Sequence, residues 1–170
     1  MSSAVVGIRL AGPSDFVLAA TIEAAADELL IEYLQATQWP PVDEPEARMA
    51  QPGFMLIAED EASTAGIGFA HVLEVDGYAH LEQLAVLPQH GRQGHGRKLV
   101  HAAAAHAAAR RYSEITLRTY VDVPWNAPFY ETCGFRRSEP TSPFHKRLVD
   151  VESRLGLERY GARIQMTLQL

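Results

Sequence analysis

The tightest constraint on this chain lies between Gly53 and Tyr112. Three apolar runs follow one another there: "GFMLIAED", "STAGIGFAHVLEV" and "YAHLEQLAVL". Each has strand length, and Asp76–Gly77 between the second and third is a tight-hairpin signal. Three consecutive antiparallel strands are expected. Pro88 stops the third, because it cannot continue a central ladder. The run "RKLVHAAAAHAAARRY" that follows is rich in alanine, leucine and lysine, which favour helix. Hairpins and helices must share one core, so the chain reads as a mixed α/β (α+β) protein, a single domain over residues 1–170.

The remaining segments fit that frame. "AVVGIRLAG" is a short first strand. Pro13 and Ser14 open an amphipathic helix that runs to about Tyr33, with apolar residues near helical spacing. "QWPPVDEP" is a loop, and a helical turn follows around "EPEARMA". "SEITLRTYV" is a strand, "PWNAPFYETCGF" a short helix opened near Pro124 and closed by Gly134, and "ARIQMTLQL" a last strand. Residues 136–161 are weakly patterned and are expected to hold a long loop.

Charge is unevenly divided. The net charge is −6, yet the first 82 residues carry 14 acids against two Lys/Arg, and the rest carry seven acids against 13. No acid occurs from Gln83 to Ser113. The second half therefore favours an anion and the first half a cation. Nucleic acid is a poor partner for a chain with this total charge and no groove-reading motif. The single cysteine, Cys133, excludes an internal disulfide and a CxxC metal site, and it reads as a small buried residue rather than a nucleophile. The seven histidines form no HExxH motif, and His101 and His106 are poorly spaced for one ion, so no metal is expected. "MSSAVVGIRL" lacks a basic segment ahead of a long apolar one, and the apolar segment 16–34 is broken by four acids. A cytoplasmic protein with neither secretory signal nor membrane partner is the expectation.

The segment "PQHGRQGHGRK" joins the third strand to the alanine-rich helix. Unpaired amides at a helix N-terminus attract anions, and glycines let a ligand approach the backbone. Neither nucleotide-loop motif fits. Counted from Gly91, a P-loop would need Lys-Ser/Thr where Arg97 and Lys98 stand. A Rossmann fingerprint starting at Gly94 would need a third glycine where Leu99 stands. Further along, Asn126 and Tyr130 lie one helical turn apart. Asn126 could equally cap the helix and Tyr130 fill the core, so the pair alone does not decide.

Together, "LEQLAVLPQHGRQGHGRKLV" (81–100) and "NAPFYETCGF" (126–135) resemble the GNAT superfamily of acyl-CoA-dependent N-acetyltransferases. The resemblance implies a mixed, mostly antiparallel central sheet flanked by helices, with acetyl-CoA as co-substrate and an amine as acceptor. The family loop usually begins with Arg or Gln, where this chain has Gly91, and Arg92 and Gln93 stand beside it. The implied cofactor-binding residues are Leu84 and Val86 on the strand, Gly91, Arg92, Gln93, Gly94, His95, Gly96, Arg97 and Lys98 in the loop, and Asn126 against the pantetheine arm. Implied catalytic residues are the Val86 amide as oxyanion donor, Tyr130 as the acid that protonates the departing thiolate, and Glu82 as the base that deprotonates the amine. His80, two residues back on the same strand face, is the alternative base.

The acceptor side is expected to use Trp39, Tyr78 and the acids Asp43, Glu44 and Glu46, which suits a cationic small molecule or a basic peptide end. A CoA-sensing module without turnover is the alternative, disfavoured by the presence of both Asn126 and Tyr130. The final strand is a candidate for pairing across chains in a homodimer.

Overall fold

The structure, a computed structural model, describes residues 5–170. Ala4, the first residue of the expected first strand, lies outside them. Seven strands form one sheet: Val6–Leu10 (β1), Gly53–Asp60 (β2), Gly66–Val75 (β3), Tyr78–Val86 (β4), Glu114–Tyr120 (β5), Arg136–Ser138 (β6) and Arg163–Gln169 (β7). Their order is β1-β2-β3-β4-β5-β7-β6. Every neighbouring pair is antiparallel except β4 and β5. The helices are Asp15–Leu34 (α1), Pro45–Met49 (α2), His95–Ala109 (α3), Ala127–Thr132 (α4) and Pro143–Leu155 (α5). The mixed, mostly antiparallel sheet with flanking helices is the expected fold class.

Alternation along the strands assigns each helix to a face. Leu56, Ala70, Leu81 and Leu117 point to one side, where Leu99, Val100, Ala103 and Ala107 of α3 and Ala127 of α4 cover them. Met55, Ile57, Phe69 and Ala85 point to the other, against Ala19 and Ile22 of α1. α5 lies on that second face beyond α1. Its His145 meets Thr116 of β5 at 3.0 Å, and its Glu152 takes hydrogen bonds from Arg118 at 2.9 Å and Arg163 at 2.6 Å.

Two expectations are corrected. Residues 136–161 are not a long loop; they hold β6, α5 and a 3₁₀ turn at Leu157–Tyr160. The start and stop signals are local: Ser142 accepts from the His145 amide at 3.1 Å, Pro143 occupies the first helical position, and Gly156 closes the helix at φ +70°. Phe144, Leu148, Val151 and Leu155 recur at helical spacing with charged residues between them, the pattern of an amphipathic helix. The final strand is also not at an edge. β7 pairs with β5 along its length and with β6 at Gln165, Met166 and Thr167, so it is not the free edge that pairing across chains would need. Among the described residues, no helix is long and apolar enough to cross a membrane.

Candidate active site

β4 and β5 diverge, and the site forms where they part. Their parallel pairing covers only Ala79, His80 and Leu81 against Ile115, Thr116 and Leu117. Beyond Leu81, β4 stays on β3 and leaves β5. The Leu87 amide donates to Ile67 at 2.8 Å, and Val86 stands opposite Gly68. In an antiparallel ladder, hydrogen-bonded and non-hydrogen-bonded pairs alternate. Val86 and Leu84 therefore direct their amides away from β3, toward the opening. Gly68 makes the close approach possible: a Cβ there would stand 2.9 Å from the Ala85 carbonyl and 3.1 Å from a Val86 methyl.

A bulge lies at the start of the opening. His71 pairs with Gln83 while Val72 pairs with Leu81, so Glu82 is the extra residue and both Glu82 and Gln83 stand against His71. The His71 Nδ1 is 3.3 Å from Glu82 Oε2. A carboxylate only accepts, so the imidazole N–H donates. The Glu82 side chain keeps 29% exposure, which leaves it open to a ligand. Burial pushes its carboxyl up, but the His71 hydrogen bond and the charges of His71 and Arg48 outweigh that and hold it below the ordinary range. His80 is a poorer base. It is buried, its Nδ1 is bound to Thr116 Oγ1 at 2.8 Å, and burial lowers its pKa to about 3.

Beyond β4, Pro88–His90 make a 3₁₀ turn and the chain enters α3 through Gly94. Gly94 has φ +83°, where glycine avoids the Cβ penalty. Gly91 does not need to be glycine for its backbone, at φ −66°; Arg92 is the left-handed residue, at φ +59°. The first amide to close a helical bond is that of Lys98, on Gly94, so those of His95, Gly96 and Arg97 are left for an anion. Gln93 and His95 face each other at 3.3 Å, and the His95 ring is 1% exposed, so only its amide faces outward. Arg92 and Lys98 are exposed. Arg97 is not free: it donates to the Thr132 carbonyl at 2.8 Å and hydroxyl at 2.7 Å, its guanidinium over the Phe129 ring.

Asn126 holds the cap position of α4 but makes no cap bond. Its Oδ1 instead accepts from Thr119 Oγ1 at 2.8 Å and from the Tyr120 amide at 3.4 Å, tying α4 to the end of β5. Tyr130 is half-buried beside Phe129 and Phe135, and burial raises its phenol pKa well above the ordinary value. At neutral pH it holds its proton. Cys133 is buried, and burial raises its thiol too.

On the α1 face, a cluster centred on Arg48 lies close enough to influence Glu82, and it brings Glu23 and Asp27 together with the expected Asp43 and Trp39. Arg48 is 2% exposed, donates to Glu23 at 2.5 Å, and lies 3.7 Å from Asp43. Burial lifts Glu23 to about 7 despite that arginine, and raises Asp27, which accepts from the Trp39 indole at 3.2 Å. Glu44 and Glu46 remain exposed on and beside α2. Tyr78 is remote from this cluster. It stacks on Phe144 and meets His145 edge-on at the end of β4 where the sheet is still closed. The loop after α1 is fastened to the 3₁₀ turn at Leu157–Tyr160. The Tyr160 hydroxyl donates to the Gln38 carbonyl at 2.6 Å and accepts from the Gln38 amide at 2.9 Å. No composition signal marks His71, Glu23 or Arg48; only their folding onto one face unites them. Among the described residues, no group of three or more His, Cys, Asp or Glu could hold a metal ion.

Residues 51–137, which contain the opened strand, the glycine loop and Tyr130, match the family model described as the acetyltransferase (GNAT) domain. The chain belongs to the GNAT acetyltransferase family. GNAT proteins of known structure share its fold. The ribosomal-protein-S18-alanine N-acetyltransferase from Escherichia coli is 19% identical, with 97% of this chain and 94% of that one covered and a TM-score of 0.68. A GCN5-related N-acetyltransferase from Rhodopseudomonas palustris is 22% identical, covering 100% and 99%, at a TM-score of 0.67. The PaiA N-acetyltransferase from Thermoplasma acidophilum, in complex with coenzyme A, is 18% identical over 100% of both chains, at a TM-score of 0.63. These likenesses are in fold, and they agree with the GNAT reading of the two sequence stretches.

Proposed function

We propose that this GNAT protein transfers an acetyl group directly from acetyl-CoA to an amine. The observation that carries the reading is the opened β4 edge. Its Val86 amide points into the gap, and the edge leads straight into the unpaired amides that begin α3. In this reading the pyrophosphate lies on the amides of Gly94, His95, Gly96 and Arg97, with Arg92 and Lys98 adding charge. The pantetheine arm lies along Leu84, Val86 and Asn126. The Val86 amide stabilises the oxyanion as the amine adds to the thioester carbonyl. Glu82 takes the proton of the attacking amine. Tyr130 gives its proton to the CoA sulfur as the C–S bond breaks, which its retained proton permits.

The acceptor is a cationic amine. Glu23 and Arg48 lie near enough to Glu82 to influence it, and Glu23, Asp27 and Asp43 gather around Arg48 and outnumber it. Thiol release from acetyl-CoA with a panel of primary amines tests the activity, and Tyr130→Phe tests the mechanism. The variant is expected to lose roughly 100-fold or more in kcat while binding acetyl-CoA nearly as the parent does. An unchanged kcat removes Tyr130 as the acid, and acetyl-CoA binding without thiol release from any amine removes the transferase reading.

A further inference from the structure

β-Bulges re-aim side chains, and the one in β4 re-aims a carboxylate. Without the extra residue, β4 would keep strict alternation and a single side chain would stand opposite His71. With it, Glu82 and Gln83 both do, and Glu82 is delivered to the first position beyond the β4–β5 pairing. His71 is itself fixed: it is 2% exposed, on a strand hydrogen-bonded to both neighbours. The hydrogen bond it gives at 3.3 Å is to the Glu82 carboxylate, on the first residue of β4 beyond the β4–β5 pairing.

We infer that His71 is a positioning residue: its Nδ1–H holds the Glu82 carboxylate in the direction that faces the incoming amine. The inference rests on the reading of Glu82 as the base. A side-chain carboxylate on an opened strand edge has several rotamers, and a buried donor on the neighbouring strand selects one. Other titratable groups stand near Glu82. His80 lies on β4 itself, Arg48 approaches from α2 and Glu23 from α1. Of these, His71 makes the hydrogen bond, and it is the largest influence opposing the upward push of burial.

The test compares His71→Leu, His71→Gln and Glu82→Gln with the parent by the pH dependence of kcat/KM, using acetyl-CoA with putrescine, benzylamine and alaninamide. His71→Leu is expected to move the acidic limb upward by about one pH unit or more, with the KM for acetyl-CoA unchanged. His71→Gln, which keeps a donor, is expected to restore most of the parent profile. A limb that stays in place in His71→Leu, or equal loss in both His71 variants at every pH, overturns the positioning role. Glu82→Gln separates the two readings: if it keeps the parental limb, the base is not Glu82, whatever His71 does. The wild-type chain gives an answer that depends on no acceptor and on no His71 variant. The ¹³C carboxyl resonance absent from Glu82→Gln should titrate below the ordinary glutamate range, and titration within or above that range overturns the inference.

Discussion

The Arg97 guanidinium donates to both the carbonyl and the hydroxyl of Thr132, at 2.8 and 2.7 Å. Arg97 lies in the first turn of the helix that follows the glycine loop, and Thr132 ends the helix that carries Tyr130. The contact therefore sets the proposed acid relative to the proposed pyrophosphate cradle. Arg97→Ala should lower kcat by about ten-fold through misplacement of α4, with a smaller effect on acetyl-CoA affinity. Lys98→Ala should do the reverse, weakening acetyl-CoA about three-fold with kcat retained. Isothermal titration and steady-state kinetics on both variants check the split.

The loop glycines should not be equivalent. Gly94 sits at φ +83° and Gly91 at φ −66°. Alanine at Gly94 meets no neighbour but must adopt the left-handed conformation, at a cost of roughly 1–2 kcal/mol. Alanine at Gly91 keeps an ordinary backbone and only crowds the Pro88 carbonyl, 3.2 Å from its Cβ. Thermal denaturation with and without acetyl-CoA should show Gly94→Ala as the more damaging substitution by both measures.

Gly68 supports Val86 from behind. Its alanine variant would press on the Ala85 carbonyl at 2.9 Å and on Leu99 at 3.2 Å. The substitution should destabilise the fold by about 1–3 kcal/mol and lower kcat, because the strand that moves carries the proposed oxyanion donor. Urea unfolding and kinetics below the melting transition measure the two effects separately.

Glu23 should give the fold a pH dependence. Its folded pKa, about 7, lies above the ordinary value of 4.5, so the folded state holds the proton more tightly than the unfolded chain. Its contribution is complete below pH 4.5 and is lost as pH rises to about 7. The loss is on the order of 2–3 kcal/mol. Glu23→Gln, which keeps an acceptor for Arg48, should flatten that part of the profile. Urea midpoints collected from pH 4.5 to 7.5 check it.

Local patterns in the sequence determined much of this protein. Asp76–Gly77 and Pro88 set the hairpin and the end of β4, and the alanine run set α3, because these are short-range effects of backbone geometry and propensity. The glycine loop with Asn126 and Tyr130 was enough to point to the GNAT family. α5 was legible too: Ser142–Pro143 start it, Gly156 ends it and an amphipathic stripe runs between them, signals outweighed in the expectation of a long loop by the charged residues of that segment.

Tertiary structure alone decided three things. Arg97 serves α4 rather than standing free, because Thr132 is 35 residues away in sequence but within hydrogen-bond reach in space. β7 is interior, because the three-residue β6 covers its far side. The surroundings of Glu82 come from four separate elements: His71 from β3, Arg48 from α2, Glu23 from α1 and the bulge in β4 itself. Periodicity within one segment reports which face a side chain takes, but not which distant side chains share that face, and the charge on a carboxylate depends on the latter.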